Sequence, residues 1–188
     1  MNLHLGCGSR YLGGWTNVDL YAEKVDVRAD LRTVEFEPGS AATIRMVHTI
    51  EHFTQAEGIQ ILRKCAKWLA PGGTLELETP DRRKCLMAIK DGAGPVGAKG
   101  LLGGRSKNKP EWDQYVERWS RSTRARRDVR HYRIHPKWNL PGEVHLCVWM
   151  GEELAEVLRG FGLVPQIQEP QHHGKRSWRD TRVVGVKP

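Results

Sequence analysis

The chain has 188 residues, 39% of them hydrophobic and 28% charged, with a formal net charge of +8. That length suits one domain able to bury roughly 70% of its unfolded surface, and apolar clusters recurring towards both ends exclude wholesale disorder. No apolar run approaches the ~18 residues that span a bilayer, the first residues lack the basic and apolar regions of a secretory leader, and the scattered Cys7, Cys65, Cys85 and Cys147 contain no C-x-x-C pair, so a cytoplasmic protein with reduced thiols and no membrane association is expected.

In chain order, Asn2 to Leu5 reads as a short strand running straight into Gly6-Cys7-Gly8. Ser9 to Gly14 is too short for a helix and reads as a loop. Trp15 to Leu20 and Val25 to Leu31 are strand candidates, each with an acid near its end, and Thr43 to Val47 is a fourth. From Thr54 the period becomes helical through Ile59, Leu62, Ala66 and Leu69, with Thr54 and Glu57 spaced as a capping box. Pro71-Gly72-Gly73 stops that helix, and Thr74 to Thr79 alternates as a strand. Glu152 to Phe161 has helical spacing, Gly162 breaks it, and Leu163–Ile167 and Arg182–Val186 close the chain as strands. Alternating strands and helices predict an α/β sheet with parallel strands.

The charge is unevenly placed. Residues 82–138 hold 16 Lys and Arg against 5 Asp and Glu, a balance of +11, and the remainder of the chain stands at −3. The segment 82–142 opens with six glycines between Gly92 and Gly104 and closes on Pro141-Gly142. Neither flank is long enough to fold alone, so the chain reads as one domain, 1–188, carrying 82–142 as a basic insertion or lid. Trp112, Tyr115 and Trp119 share helical spacing within it and fit a helix packing its rings on the domain, or a substrate lid with rings for stacking and arginines for phosphate. The charge itself fits a solvated face or a landing surface for a polyanion.

Gly6-Cys7-Gly8 after an apolar strand lets a ligand approach the backbone closely. The dinucleotide fingerprint needs a small residue where Tyr11 stands, and the Walker Lys-Ser/Thr ending is absent, which disfavours NAD, FAD and ATP. Asp19 and Asp30, each near a strand end, are suited to ribose hydroxyls and an adenine amino group, because open α/β sheets bind ligands beyond the carboxyl ends of their strands.

Leu3-His4-Leu5-Gly6-Cys7-Gly8, Gly14-Trp15-Thr16-Asn17-Val18-Asp19-Leu20, Asp30-Leu31, His48-Thr49-Ile50-Glu51-His52 and Leu69-Ala70-Pro71-Gly72-Gly73 occur in that order. The chain thereby resembles the class I S-adenosylmethionine-dependent methyltransferases of the small, type-11-like kind, over residues 1–81 closely and 143–188 loosely. The resemblance implies a Rossmann-like, seven-stranded, mostly parallel sheet flanked by helices, with one antiparallel strand and the basic insertion after the fifth. It also implies S-adenosylmethionine as cofactor, with Gly6, Cys7 and Gly8 along its methionine part, Asp19 and Leu20 at the ribose, Asp30 and Leu31 at the adenine, and His48 beneath the sulfonium.

His48-Thr49-Ile50-Glu51-His52 also fits the H-x-x-E-H zinc-peptidase pattern, which requires both histidines on one helical turn. His48 follows a strand-like run, so no metal is expected there; Glu51 and His52 are placed at the start of the following helix, near the substrate mouth. Should the acceptor need a base, His48 and His145 are the candidates, both expected near strand ends. The expected activity is methyl transfer to an acceptor the sequence does not name, an anionic one such as a phosphorylated or nucleotide-linked small molecule or glycan being favoured by the insertion. The rival is a nucleic-acid-binding or nucleic-acid-modifying protein on the same fold, using residues 82–138.

Overall fold

The computed structural model describes residues 1–91, 145–172 and 174–188. Seven strands form one sheet: β1 (Asn2–Leu5), β2 (Thr16–Asp19), β3 (Val27–Arg28), β4 (Ala41–Val47), β5 (Leu69–Pro80), β6 (Val164–Gln168) and β7 (Asp180–Val186), in the order β3-β2-β1-β4-β5-β7-β6. Strand β7 is antiparallel to both its neighbours, and every other pairing is parallel. The order reverses between β1 and β4, the switch point beyond whose carboxyl strand ends open α/β sheets bind their ligands.

Period-2 alternation divides the sheet into two unlike faces. Leu3, Leu5, Val18, Ile44, Met46, Leu75, Leu77 and Val183 fall on one face and are buried beneath helices α1 (Gln55–Trp68) and α3 (Gly151–Gly160). These two helices supply Ile61, Leu62, Trp68, Leu154 and Leu158 to the same core. Helix α1 begins where the sequence predicts: Thr54 accepts from the Glu57 amide, and the Glu57 carboxylate accepts from the Thr54 amide at 2.9 Å. The other face carries His4, Asn17, Arg45, Glu76, Glu78 and Arg182 in register across five strands, with the Arg45 guanidinium 4.8 Å from the Trp15 ring.

Three elements differ in extent from the sequence reading. Strand β3 is only two residues long; the exposed Asp26 just before it accepts from the Asn17 amide (2.7 Å) and the Tyr11 hydroxyl (2.7 Å). Strand β5 begins earlier than expected, at Leu69, which pairs with Ala41 ahead of the Gly72 turn. Arg82–Lys90, assigned from its charge to the insertion, forms helix α2. Its N-cap Asp81 accepts from the Lys84 amide at 3.0 Å and from the Gly151 amide at 3.2 Å, tying the end of β5 to the start of α3. Residues 92–142, including the aromatic series Trp112, Tyr115 and Trp119, lie outside the described residues.

Candidate functional site

The carboxyl ends of β1, β2 and β4 meet around the glycine turn. Gly6 and Gly8 both have left-handed backbone, φ +67° and +53°, and the Gly6 amide donates to the Val18 carbonyl at 2.8 Å. A Cβ at Gly8 would meet nothing within 4 Å, so its outer side is open to a ligand, whereas one at Gly6 would sit 2.2 Å from Thr49 Cγ2. Cys7 between them is buried, and burial, with the Asp19 charge adding, pushes its thiol up to about 11. It is a packing residue and not a thiolate nucleophile.

Asp19 at the end of β2 organises this turn. Its Oδ2 accepts from the Gly8 amide at 2.9 Å, and its Oδ1 accepts from the Tyr21 and Ala22 amides at 2.7 and 2.8 Å. Acid and glycine turn, predicted as two halves of one site, are hydrogen-bonded to each other. Leu20 beside it is exposed. Asp30 is held differently from the expectation: Arg32 grips its carboxylate through Nε at 3.0 Å and Nη2 at 2.6 Å, and the Arg32 amide donates to it at 2.9 Å. The Arg32 hydrogen bonds hold the Asp30 pKa below the usual range, so any adenine amino group must share that carboxylate with Arg32. Leu31, 5% exposed, belongs to the core cluster.

At the end of β4, His48 has φ +51°, the one non-glycine residue with left-handed backbone among those described. Such a conformation in a bulky residue persists only where its surroundings over-determine it. Here the His48 amide donates to the Glu78 carbonyl at 2.8 Å, and the ring spans two carboxylates, Nδ1 lying 3.0 Å from Glu51 and Nε2 2.9 Å from Asp180. Burial alone would lower the ring's pKa, but Asp180 and Glu51 outweigh it and raise it to about 9. A ring whose proton two buried carboxylates hold this firmly makes a weak base, and it lies at the carboxyl end of β4.

His48 and His52 do not share a helical turn. Ile50–His52 is a short 3-10 segment, and α1 starts only at Gln55, so Glu51 and His52 precede the helix that was expected to carry them. Glu51 is fully buried, with Oε2 accepting from the Thr79 hydroxyl at 3.0 Å. His145 is also buried, beside Glu51 and not on a strand, because the Leu146 and Cys147 amides donate to the Glu51 carbonyl at 2.7 and 3.2 Å. Its Nε2 lies 3.9 Å from Glu51 Oε1, and its ring meets His52 edge-on at 5.1 Å. Sequence reasoning missed Asp180, Thr49 and Thr79, whose partners lie 132, 44 and 28 positions away.

A family model described as a methyltransferase domain matches residues 9–166. The chain belongs to the methyltransferase domain family. With that membership and this strand order it is an S-adenosylmethionine-dependent methyltransferase. No curated protein matches the sequence. Among solved structures, the methyltransferase shares its fold with a protein from Pyrococcus horikoshii OT3 at a TM-score of 0.58 and 14% identity, covering 100% of this chain and 81% of that one. The 1,6-didemethyltoxoflavin-N1-methyltransferase of Burkholderia thailandensis, solved with 1,6-didemethyltoxoflavin and S-adenosylhomocysteine, aligns at 0.55 and 14%, over 99% of this chain and 70% of its own. DhpI, solved with S-adenosylhomocysteine, aligns at 0.57 and 12%, over 100% and 76%. No helix among the methyltransferase's described residues is long and apolar enough to cross a membrane.

Proposed function

We propose that this methyltransferase holds S-adenosylmethionine across the carboxyl ends of β1, β2 and β3 and methylates an anionic acceptor that enters over β4. The observation that carries the cofactor placement is the hydrogen bond from the Gly8 amide to Asp19, which joins an open glycine turn to an ionisable group at the sheet's switch point. Gly6, Cys7 and Gly8 lie along the methionine part, Asp19 and Leu20 face the ribose, Asp30 and Leu31 the adenine, and His48 the sulfonium end. The open space over Gly8 fits close approach of a ligand to the backbone. Bound S-adenosylmethionine supplies a methyl group already activated on a cationic sulfur. The protein's own task is therefore mostly alignment.

An acceptor whose reacting atom needs no proton removed suits this site, because His48, its pKa raised to about 9, is a poor base. The +11 balance of residues 82–138 supports an acceptor that carries negative charge, being more lopsided than solubility requires.

S-adenosylhomocysteine should bind and raise the melting temperature. Asp19→Ala should weaken that binding by about 1.5–3 kcal/mol, or about 10- to 150-fold, as expected for a lost charge-assisted hydrogen bond. Calorimetry measures it, with the ligand-free melting temperature read alongside because Asp19 also holds three amides of the turn. Unchanged affinity removes Asp19 from the site.

Turnover should fall steeply with added salt while cofactor affinity barely moves, since exposed charges lose their reach beyond about 8–10 Å near physiological ionic strength. Neutralising Arg124, Arg126 and Arg127 together should raise the acceptor KM and flatten that dependence. A salt-independent KM would mean a neutral acceptor. Inhibition by added single-stranded or duplex nucleic acid, lost in the same triple variant, would mark the acceptor as nucleic acid.

A further inference from the structure

H-x-x-E-H is not a zinc-peptidase motif here, but the fold regroups its members. His48 spans Glu51 and Asp180, and His145, nearly a hundred residues downstream, comes beside Glu51 and His52. One ligand atom from each of Glu51, His52 and His145 lies within 4.8 Å of the other two, the one such group of three among the described residues. We propose that Glu51, His52 and His145 form a binding site for a single divalent transition-metal ion of zinc type, through two imidazoles and one carboxylate.

Three observations support it. The first is the donor set. Two imidazole nitrogens and a carboxylate oxygen are borderline ligands that suit zinc and its first-row neighbours, and they leave a position for water or substrate. The second is the way the ligands are held. Glu51 and His52 sit on one rigid 3-10 turn, and the paired hydrogen bonds from the Leu146 and Cys147 amides to the Glu51 carbonyl fix His145 against the same residue. The Thr79 hydroxyl orients the Glu51 carboxylate by donating to Oε2, the kind of outer contact that metal-ligating carboxylates receive.

The third is Glu51 Oε1. It is completely buried, faces His145 Nε2 at 3.9 Å and pairs with His48 Nδ1 at 3.0 Å. A carboxylate oxygen carries two lone pairs, so Oε1 can ligate a metal on its His145 side while it keeps its His48 contact. Zinc–nitrogen bonds of about 2.0–2.1 Å put tetrahedral ligand atoms about 3.3 Å apart. Closing from the present spacing needs about 1.5 Å, within reach of ring rotation at His52 and His145. Cys147, two residues from His145, is not one of the grouped ligand residues.

The proposal stands apart from the methyl-transfer reading, since metal binding is measured without cofactor or acceptor. Where that reading also holds, the ion lies next to His48 at the end of β4 and can take an acceptor oxygen as a ligand and lower its pKa.

The test uses tag-free, chelator-stripped full-length protein, titrated with zinc chloride in a calorimeter and with cobalt(II) chloride followed by visible absorption. One equivalent of zinc should bind, and cobalt should give ligand-field bands without a sulfur-to-metal charge-transfer band. Loss of even an outer contact lowers metal affinity about 10- to 100-fold, so His52→Ala should lower zinc affinity at least ~10-fold, and His145→Ala likewise. His52 is only partly buried, so its variant keeps the test available if the buried His145 proves necessary for folding. Absence of saturable zinc binding, binding undiminished in folded His52→Ala, or a sulfur charge-transfer band would each overturn the proposal.

Discussion

Gly6→Ala should destabilise this methyltransferase by about 3–6 kcal/mol, a large part of the ~5–15 kcal/mol available to a domain of this kind. An L side chain at φ +67° costs about 1–2 kcal/mol. The new methyl would also lie 2.2 Å from Thr49 Cγ2 and 2.4 Å from Thr49 Oγ1. Thr49 cannot simply step aside, because its hydroxyl is buried within hydrogen-bonding reach of the Leu5, Gly6 and Val47 carbonyls at 3.2, 3.3 and 3.3 Å. Overpacking of this kind costs about 1–3 kcal/mol, and giving up the hydroxyl's bond adds about 1 kcal/mol. At ~2–4 °C per kcal/mol for a chain of this length, the melting temperature should drop by roughly 10 °C.

Gly8→Ala separates stability from binding. Its methyl meets nothing within 4 Å, so only the backbone term of about 1–2 kcal/mol applies, yet that methyl points into the space assigned to the cofactor. Gly8→Ala should therefore melt nearer to wild type and lose S-adenosylhomocysteine affinity, and Thr49→Ala should partly rescue Gly6→Ala. Wild-type melting of Gly6→Ala would mean that the turn relaxes without cost.

What the sequence makes legible here is local. The glycine turn, the acid at the end of β2 and the capping box of α1 all act across a few residues, and each stands where expected. What it hides is set by residues far apart in the chain. The Leu-Glu alternation of Leu75-Glu76-Leu77-Glu78 has the look of a strand with one wet face, yet Glu76 is 5% exposed and Glu78 is fully buried. Glu78 accepts from the Gln171 and His172 amides, and Glu76 is met by Arg45, His172 and Arg182. Arg45 and Arg182 each sit at alternating positions of their own strands, but only the strand order reveals that they flank β5. His48 is a similar case. Its place after β4 could be read from the sequence, and its protonated state could not, because Asp180 arrives from β7.

Glu76→Gln should cost about 3–5 kcal/mol at neutral pH, the usual penalty for removing one partner of a buried ion pair. Glu76 Oε2 lies 2.7 Å from Arg45 Nε, while Oε1 lies 2.6 Å from Arg182 Nη2 and 2.9 Å from His172 Nε2, with 7% of the side chain exposed. The variant keeps the volume but leaves two guanidinium groups facing an amide on a sheet face whose polar side chains otherwise satisfy one another. The carboxylate's titration gives a second, independent reading. Burial by itself would raise the pKa of Glu76, but His172, Arg45 and Arg182 overcome it and lower the value from the ordinary 4.5 to about 2. With the folded value below the unfolded one, this stabilisation is fully present above pH ~4.5 and is lost as the pH falls towards 2, for a total of order 3 kcal/mol. Urea denaturation of wild type and Glu76→Gln should therefore differ most at pH 7, less at pH 3.5, and converge near pH 2, because acid does to the wild type what the substitution does at every pH. A difference that stays constant across this range would show that Glu76 acts by packing alone, with its three basic partners contributing no net charge energy.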